Sequence, residues 1–230
     1  MKKRLDQYSA GLTPVQIAAG MNAARENASR LLRDSKLLAE SERYPSATAL
    51  AILSIEEAGK DAILRELSYV TDPKAIKEAW RRYRSHTSKN VAWGAPDLVM
   101  KGARVLDDFA PLFADTAEHP FILDQLKQIA MYTDCLGNAN WSKPQQVIGK
   151  DLALAIIANA EIFASRKTIM AEEIELWIEY MGPVMRDPVS ERWIKKAFQN
   201  WYHAAVERGF IDPNDQAMKL LVFGKPVEDG

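Results

Sequence analysis

The stretch Tyr44–Leu67, YPSATALAILSIEEAGKDAILREL, decides how the rest of the chain is read. It opens with Pro45 in a first helical turn, where a missing N–H costs nothing. Alanine and leucine then dominate, and both favour helix. On a wheel of about 100° per residue, Ile52, Leu53, Ile63, Leu64 and Leu67 share one broad arc, and Ala47, Ala51, Ala58 and Ala62 line a narrow small-residue face. A helix that is apolar almost all round belongs in the middle of a bundle. Yet Glu56, Glu57 and Lys60 project into the arc of the large aliphatic side chains. Charges placed there are costly, and each needs a partner. Lys60 is spaced to meet Glu57 at i,i+3 and Glu56 at i,i+4. One ammonium does not satisfy two carboxylates, so a further basic group is expected from another helix. The cluster reads either as a structural ion-pair network that fixes helix register or as part of a site.

Residues 74–89 supply basic groups in abundance. Lys74, Lys77, Arg81, Arg82, Arg84 and Lys89 stand against Glu78 alone, so this segment is +5 within a chain whose 30 Lys+Arg and 31 Asp+Glu leave −1. Arg82, His86, Lys89 and Trp93 follow i, i+4, i+7, i+11, which predicts one shared face flanked by Ala79 and Tyr83. Such a stripe suits phosphate contacts and base stacking. His86 is the best general acid–base candidate, because imidazole changes protonation near neutral pH. His119, before a proline, and His203, in an aromatic-rich helix, read as structural or surface residues. The plain alternative for the stripe is a solvated helix face or the counter-charge to Glu56 and Glu57.

Working outward, the remaining chain is also helical, with no defensible run of alternating β-branched residues. Thr13-Pro14-Val15-Gln16 is a capping-box helix start, and that helix runs to about Ser41. The Tyr44 helix runs to about Tyr69. Asp72-Pro73 opens a helix through His86 to about Trp93, where Gly94-Ala95-Pro96 breaks it. Further helices are predicted over roughly residues 96–114, from His119 to about Leu136, from Gln145 to about Met181 with a break near 166–170, and from Pro188 to about Arg208. Residues 137–144 read as a loop, Gly182-Pro183 as a helix stop, and Asp212-Pro213 as the start of a short tail. Short loops favour antiparallel neighbours. The expectation is an all-α antiparallel helical bundle with additional C-terminal helices. Its parts would be an N-terminal extension (1–12), a helical domain (13–185) and a C-terminal helical extension (186–230) on the same domain.

The composition narrows the function classes. A near-zero net charge argues against a protein that coats DNA or RNA through bulk positive charge. The single cysteine, Cys135, excludes an intrachain disulfide and favours a reducing compartment. The basic start Met1–Arg4 is followed by polar residues rather than an apolar signal core, and no apolar run approaches a membrane span. A soluble cytoplasmic protein without membrane contact is expected. No Glu-x-x-His pair supports a di-metal bundle, no nucleophile elbow supports a serine hydrolase, and no glycine-rich phosphate loop is present. Neither a metal nor another cofactor is expected.

Four stretches, in order, carry a resemblance. They are Asn27-Ala28 with Leu31-Leu32 and Asp34; Tyr44-Pro45-Ser46-Ala47 leading to Glu56-Glu57-Ala58-Gly59-Lys60; Ser85-His86-Thr87-Ser88-Lys89; and Gln128–Asp134 with Trp141 and Pro144. Over roughly residues 13–165 the chain resembles the AbiV abortive infection family, within the HEPN superfamily of helical bundles. The resemblance implies antiphage defence by arrest of infected cells, through a metal-independent RNase and a homodimer with composite sites. Its Arg-x4–6-His signature falls on Arg81 and His86, yet Arg82 follows where Asn, Asp or His is common, and Arg82 rather than Arg81 shares the helical face of His86. Catalytic candidates are therefore His86, Arg81 and Arg82, with Glu56, Glu57, Lys60, Lys89, Tyr132 and Asp134 in support. The partner would be RNA. The other reading is a non-catalytic module that recognises a phage or host protein, a toxin partner or a nucleotide, with Trp193, Trp201 and Tyr202 as interface candidates.

Overall fold

The computed structural model describes residues 6–104, 106–114, 116–164, 167–186 and 191–224. The long first helix, α1 (Pro14–Glu40), starts as its sequence requires. The Thr13 hydroxyl accepts the Gln16 amide and the Gln16 side chain accepts the Thr13 amide, closing a capping box. Its buried stripe is Ile17, Met21, Ala24, Ala28, Leu31 and Ser35, spaced at helical period. Against it lie α2 (Tyr44–Ala58) and α3 (Lys60–Tyr69). The first contact is close because it is made of small residues. The Ser35 hydroxyl donates to the Ala47 carbonyl at 2.7 Å and the Ser54 hydroxyl to the Ala28 carbonyl at 2.8 Å.

The 44–69 segment is not one helix, as the pattern predicted. It bends at Gly59, whose amide still bonds the Ile55 carbonyl at 2.9 Å, and the two halves serve different cores. Ala47, Ala51, Ile52 and Ile55 of α2 join Leu32 of α1, Leu123 of α7 (His119–Met131) and Ile156, Ile157 and Ala160 of α9 (Lys150–Phe163). Ile63, Leu64 and Leu67 of α3 join Ile17 and Met21 of α1, Ala79 and Trp80 of α4 (Pro73–Arg84), and Ile174 of α10 (Ala171–Arg186). The central position expected for this stretch is thus real for α2, while Ala62 is exposed.

Other boundaries shift for physical reasons. The predicted 73–93 helix breaks at Ser85, which adopts an extended conformation and caps the one-turn α5 (His86–Lys89) by accepting the Ser88 amide at 3.3 Å. Val91–Gly94 continues as a 3-10 turn, α6 covers only Ala95–Met100, and Leu106–Phe113 is a 3-10 segment containing Pro111, so no single helix spans 96–114. After α7 the chain does not stay helical to Leu136. It forms an exposed hairpin, β1 (Asp134–Leu136) against β2 (Asn140–Ser142), turned by Gly137 and Ala139 at positive φ. The 145–181 stretch divides into α8 (Pro144–Val147), α9 and α10, and α10 runs through Gly182-Pro183 rather than stopping there. The predicted start at Asp187-Pro188 and residue 166 lie outside the described residues. The last helices are α11 (Glu191–Glu207) and α12 (Gln216–Phe223). Trp201 and Tyr202 are core residues there with Leu176 and Val222, and only Trp193 of the three aromatics is exposed. Apart from the hairpin, the described residues form an all-α fold. Among them, no helix is long and apolar enough to cross a membrane.

Candidate functional site

The site is built on the C-terminal end of α2. Glu56 sits at a position that the helical pattern assigns to the core, and its side chain is 2% exposed. Three basic groups from two other helices converge on it. The Nδ1 of His86 lies 2.7 Å from Glu56 Oε2, Lys127 Nζ donates to Oε1 at 2.5 Å, and Lys89 Nζ stands 3.7 Å from Oε2. Lys127 is also 2.8 Å from Asp124, one turn earlier on α7.

These distances set the chemistry of the imidazole. A carboxylate flanked by ammonium groups only accepts hydrogen bonds, so the neutral His86 ring carries its proton on Nδ1 and its lone pair on Nε2. The ring is 59% exposed. No group among the described residues hydrogen-bonds Nε2. The result is a buried carboxylate that orients an exposed imidazole.

The lysines divide between two environments. Burial pushes the Lys89 ammonium below its ordinary range, against the pull of Glu56. Burial works against Lys127 too, but hydrogen bonds to Asp124 and Glu56 outweigh it and hold Lys127 above its ordinary value. Glu56, His86 and Asp124 also present ligand-type atoms within 4.8 Å of one another. The Lys127 ammonium bridges the two carboxylates and supplies the positive charge that a cation would bring.

Of the residues singled out from sequence, His86, Lys89 and Glu56 come together. Glu57 and Lys60 form a separate pair at 2.6 Å, with Lys60 5.0 Å from the centre of the Tyr83 ring. The expected Glu56–Lys60 contact is replaced, because Glu56 turns toward α5 and α7. Arg82 pairs with Glu66 of α3 and lines a cleft with Ser88 and Lys89, whereas Arg81 pairs with Glu78 on the outer face of α4. Trp93 leaves the expected stripe because the helix breaks at Ser85, and its indole N–H donates to the His119 carbonyl at 2.8 Å. His119 is structural, its Nε2 lying 2.7 Å from the Val91 carbonyl oxygen. Tyr132 and Asp134 are exposed beyond the end of α7, with Asp134 accepting the Cys135 amide in the hairpin. Neither hydrogen-bonds the cluster among the described residues.

Lys127 and Asp124 were not singled out from the sequence. A signal did exist: Leu123, Lys127 and Ala130 are spaced i, i+4, i+7 and all are buried. Lysine in the apolar register of a helix is the mark of a buried counter-ion. The residue that lets these helices meet is Gly59. A Cβ there would stand 1.9 Å from the Lys89 carbonyl oxygen, so any side chain would push α5 off α2.

The family model described as AbiV, of the HEPN type, matches residues 16–165. No curated protein and no solved structure matches the chain. The matched region runs from Gln16 in the first turn of α1 through α9 and therefore includes every residue of the Glu56 cluster.

Proposed function

The chain belongs to the AbiV family of the HEPN type, and from that premise we propose that it is an abortive-infection effector that cleaves RNA at His86 without a metal. The observation that carries the reading is the 2.7 Å contact between Nδ1 of the exposed His86 ring and the buried Glu56. This is the arrangement a general base needs, with the base held in one tautomer by a third group. Nε2 takes the proton of a ribose 2′-OH as its oxygen attacks the adjacent phosphorus. The new O2′–P bond forms and the P–O5′ bond breaks, leaving a 2′,3′-cyclic phosphate. The imidazolium then returns its proton to the departing O5′. Glu56 stabilises that imidazolium, and Lys127 keeps Glu56 in place. Arg82 and Lys89 are the cations available to charge developing on the phosphate.

The resemblance further implies a cytoplasmic homodimer in which two His86 faces meet, and light scattering at micromolar concentration tests the dimer. The primary test is RNA integrity during phage challenge, with wild type and His86→Ala. General acid–base catalysis contributes about 10²–10⁴-fold, so cleavage and growth arrest both disappear in the variant. Because the ring is exposed, the variant keeps its fold by circular dichroism. Undiminished RNA cleavage by folded His86→Ala would end this reading, and undiminished phage protection without RNA cleavage would favour a binding module.

A further inference from the structure

The basic segment 74–89 is only partly used by the Glu56 cluster. His86 and Lys89 stand on Glu56, and Arg82 pairs with Glu66. Lys74, Lys77, Arg81 and Arg84 remain, and all four are exposed on the outer face of α4. At about 100° per residue they fall within an arc of about 80°. Lys74 and Lys77 form no ion pair among the described residues, and Glu78, at the edge of the arc, pairs with Arg81. Arg84 donates to the backbone carbonyls of Tyr8 and Trp80 and lies over the Trp80 ring, with no carboxylate at ion-pair distance among the described residues. Beside this row runs a groove of about 730 Å³, lined by Gln7 and Ser9 as well as by the four cations.

The matching charge lies on α10. Glu172, Glu175 and Glu179 are exposed there and fall within an arc of about 60°. Glu172 and Glu175 have no ion-pair partner among the described residues, and Glu179 stands 3.6 Å from Arg208. The two rows share one spacing. Lys74, Lys77 and Arg81 follow i, i+3, i+7, as do Glu172, Glu175 and Glu179. At 1.5 Å per residue each row spans about 10.5 Å. Laid side by side, they set three cations opposite three carboxylates. Within one chain no ion pair joins them among the described residues. Ala79 and Trp80 of α4 and Ile174 of α10 face a common core, and the charged rows point away from it into solvent.

We infer that the outer face of α4 is a docking surface for a second copy of this chain, which presents its α10 row to it. The contact joins two different surfaces, so copies associate head to tail, in a closed ring or an open row. It requires neither a pairing of His86 faces nor RNA cleavage. One exposed ion pair holds little, so the contact depends on several closing together and is screened by salt.

The test is sedimentation velocity on the full chain at low and high salt, with two charge-reversed variants. One is Lys74→Glu/Lys77→Glu/Arg81→Glu, and the other is Glu172→Lys/Glu175→Lys/Glu179→Lys. All six positions are exposed, and circular dichroism checks that both variants fold. Wild type is expected to self-associate at low salt, with a dissociation constant at least about tenfold weaker once the Debye length falls from about 10 Å to about 3 Å. Each variant alone carries like charge on both rows and loses this association. An equimolar mixture of the two regains it, because each row again meets its opposite. Arg33→Glu/Lys143→Glu/Lys150→Glu makes the same change in net charge at exposed positions off both rows, and it self-associates as wild type does. Absence of salt-sensitive association, association that survives either reversal, loss in the control variant, or a mixture that stays apart overturns the contact. Labelled RNA that binds wild type and not the α4 variant, without salt-sensitive association of copies, also overturns it and assigns the α4 row to nucleic acid. No step of this measurement involves cleavage, so its outcome and that of the RNase reading are independent.

Discussion

Gly59 and Lys89 are in backbone contact across the α2–α5 interface, so close that a Cβ on Gly59 would fall 1.9 Å from the Lys89 carbonyl oxygen. The glycine is not there for a special φ, since its backbone is ordinary right-handed helical. It is there because α5 has no other way to bring His86 and Lys89 onto Glu56.

Gly59→Ala separates this account from simple helix propensity. Propensity alone favours alanine by about 1 kcal/mol, so the variant would gain stability if the contact were loose. The clash is with backbone, which cannot rotate away as a flexible side chain can. The expected outcome is a loss of about 1–3 kcal/mol, read as a lower Tm, together with a fall in RNA cleavage larger than the unfolded fraction explains. A Tm at or above wild type would show that α5 is not seated on Gly59.

Glu56 and Lys127 test the cost of an incomplete ion cluster. Glu56→Gln keeps the shape but leaves Lys127 with Asp124 alone and Lys89 with no carboxylate at contact distance. Removing one partner of a buried pair costs about 3–5 kcal/mol, and the surviving 2.8 Å contact of Lys127 with Asp124 places this variant near 3. Lys127→Met withdraws the ammonium from both Glu56 and Asp124 and leaves Glu56 with His86 and Lys89. The double variant removes both members of the Glu56–Lys127 pair at once, so it loses less than the sum of the two, with a coupling of about 0.5–3 kcal/mol. Urea unfolding of the four chains measures it, and additive losses would refute the pairing.

Tyr69 predicts a pH dependence. Burial, helped by the Glu66 carboxylate and opposed by Arg82, pushes its phenol up to about 12. An unfolded tyrosine ionises near 10. Between those values the unfolded chain has lost a proton that the folded chain keeps, so stability falls as pH rises through that window and is unaffected below it. Two pKa units correspond to about 2.7 kcal/mol, discounted here to about 1–2 kcal/mol for partial solvent screening. Tyr69→Phe removes this contribution and leaves the Tyr69 backbone contact with Arg186 intact. All other titrating groups are common to both chains. Unfolding free energies at pH 9 and pH 11 therefore fall less in Tyr69→Phe than in wild type, and parallel falls would contradict the assignment.

How much of this was legible in the sequence follows from the range of each interaction. The Thr13–Gln16 capping box is local, and it formed as read. Glu56 announced itself because a carboxylate among aliphatic residues conflicts with its own helix. Its partner Lys127 did not, because it lies 71 residues away and only the register of α7 gives it away. The Arg82–His86–Lys89–Trp93 stripe misled for a different reason. Helical spacing assumes an unbroken helix, and Ser85 instead used its hydroxyl as a cap. The 134–142 hairpin is short and wholly surface-bound apart from Ser142, so it left no buried alternation to read. Gly182-Pro183 reads as a stop, yet α10 continues through Pro183 to Arg186, whose Nε–H donates to the Tyr69 carbonyl at 2.7 Å.

The two adjacent arginines give the sharpest test of where chemistry would occur. Arg82 lines the cleft with Lys89 and is held by the partly buried Glu66. Arg81 is 70% exposed and its ion-pair partner is Glu78, one turn away on the same helix. An exposed pair of that kind contributes little to stability, and Arg81→Ala is expected to leave Tm nearly unchanged and to change RNA cleavage by no more than about twofold. Arg82→Ala removes a cation from the cleft and leaves Glu66 facing it uncompensated. If Arg82 meets developing phosphate charge, its loss lowers cleavage by about 10²–10³-fold, the scale of one lost electrostatic donor. Arg82→Lys restores charge but not the fork that holds Glu66 and an anion at once, so it recovers only part of the activity. Single-turnover rates on one RNA, beside Tm values for each variant, separate these effects. If Arg81→Ala is the inactive variant and Arg82→Ala the active one, the reacting phosphate lies on the outer face of α4 and not at the cleft.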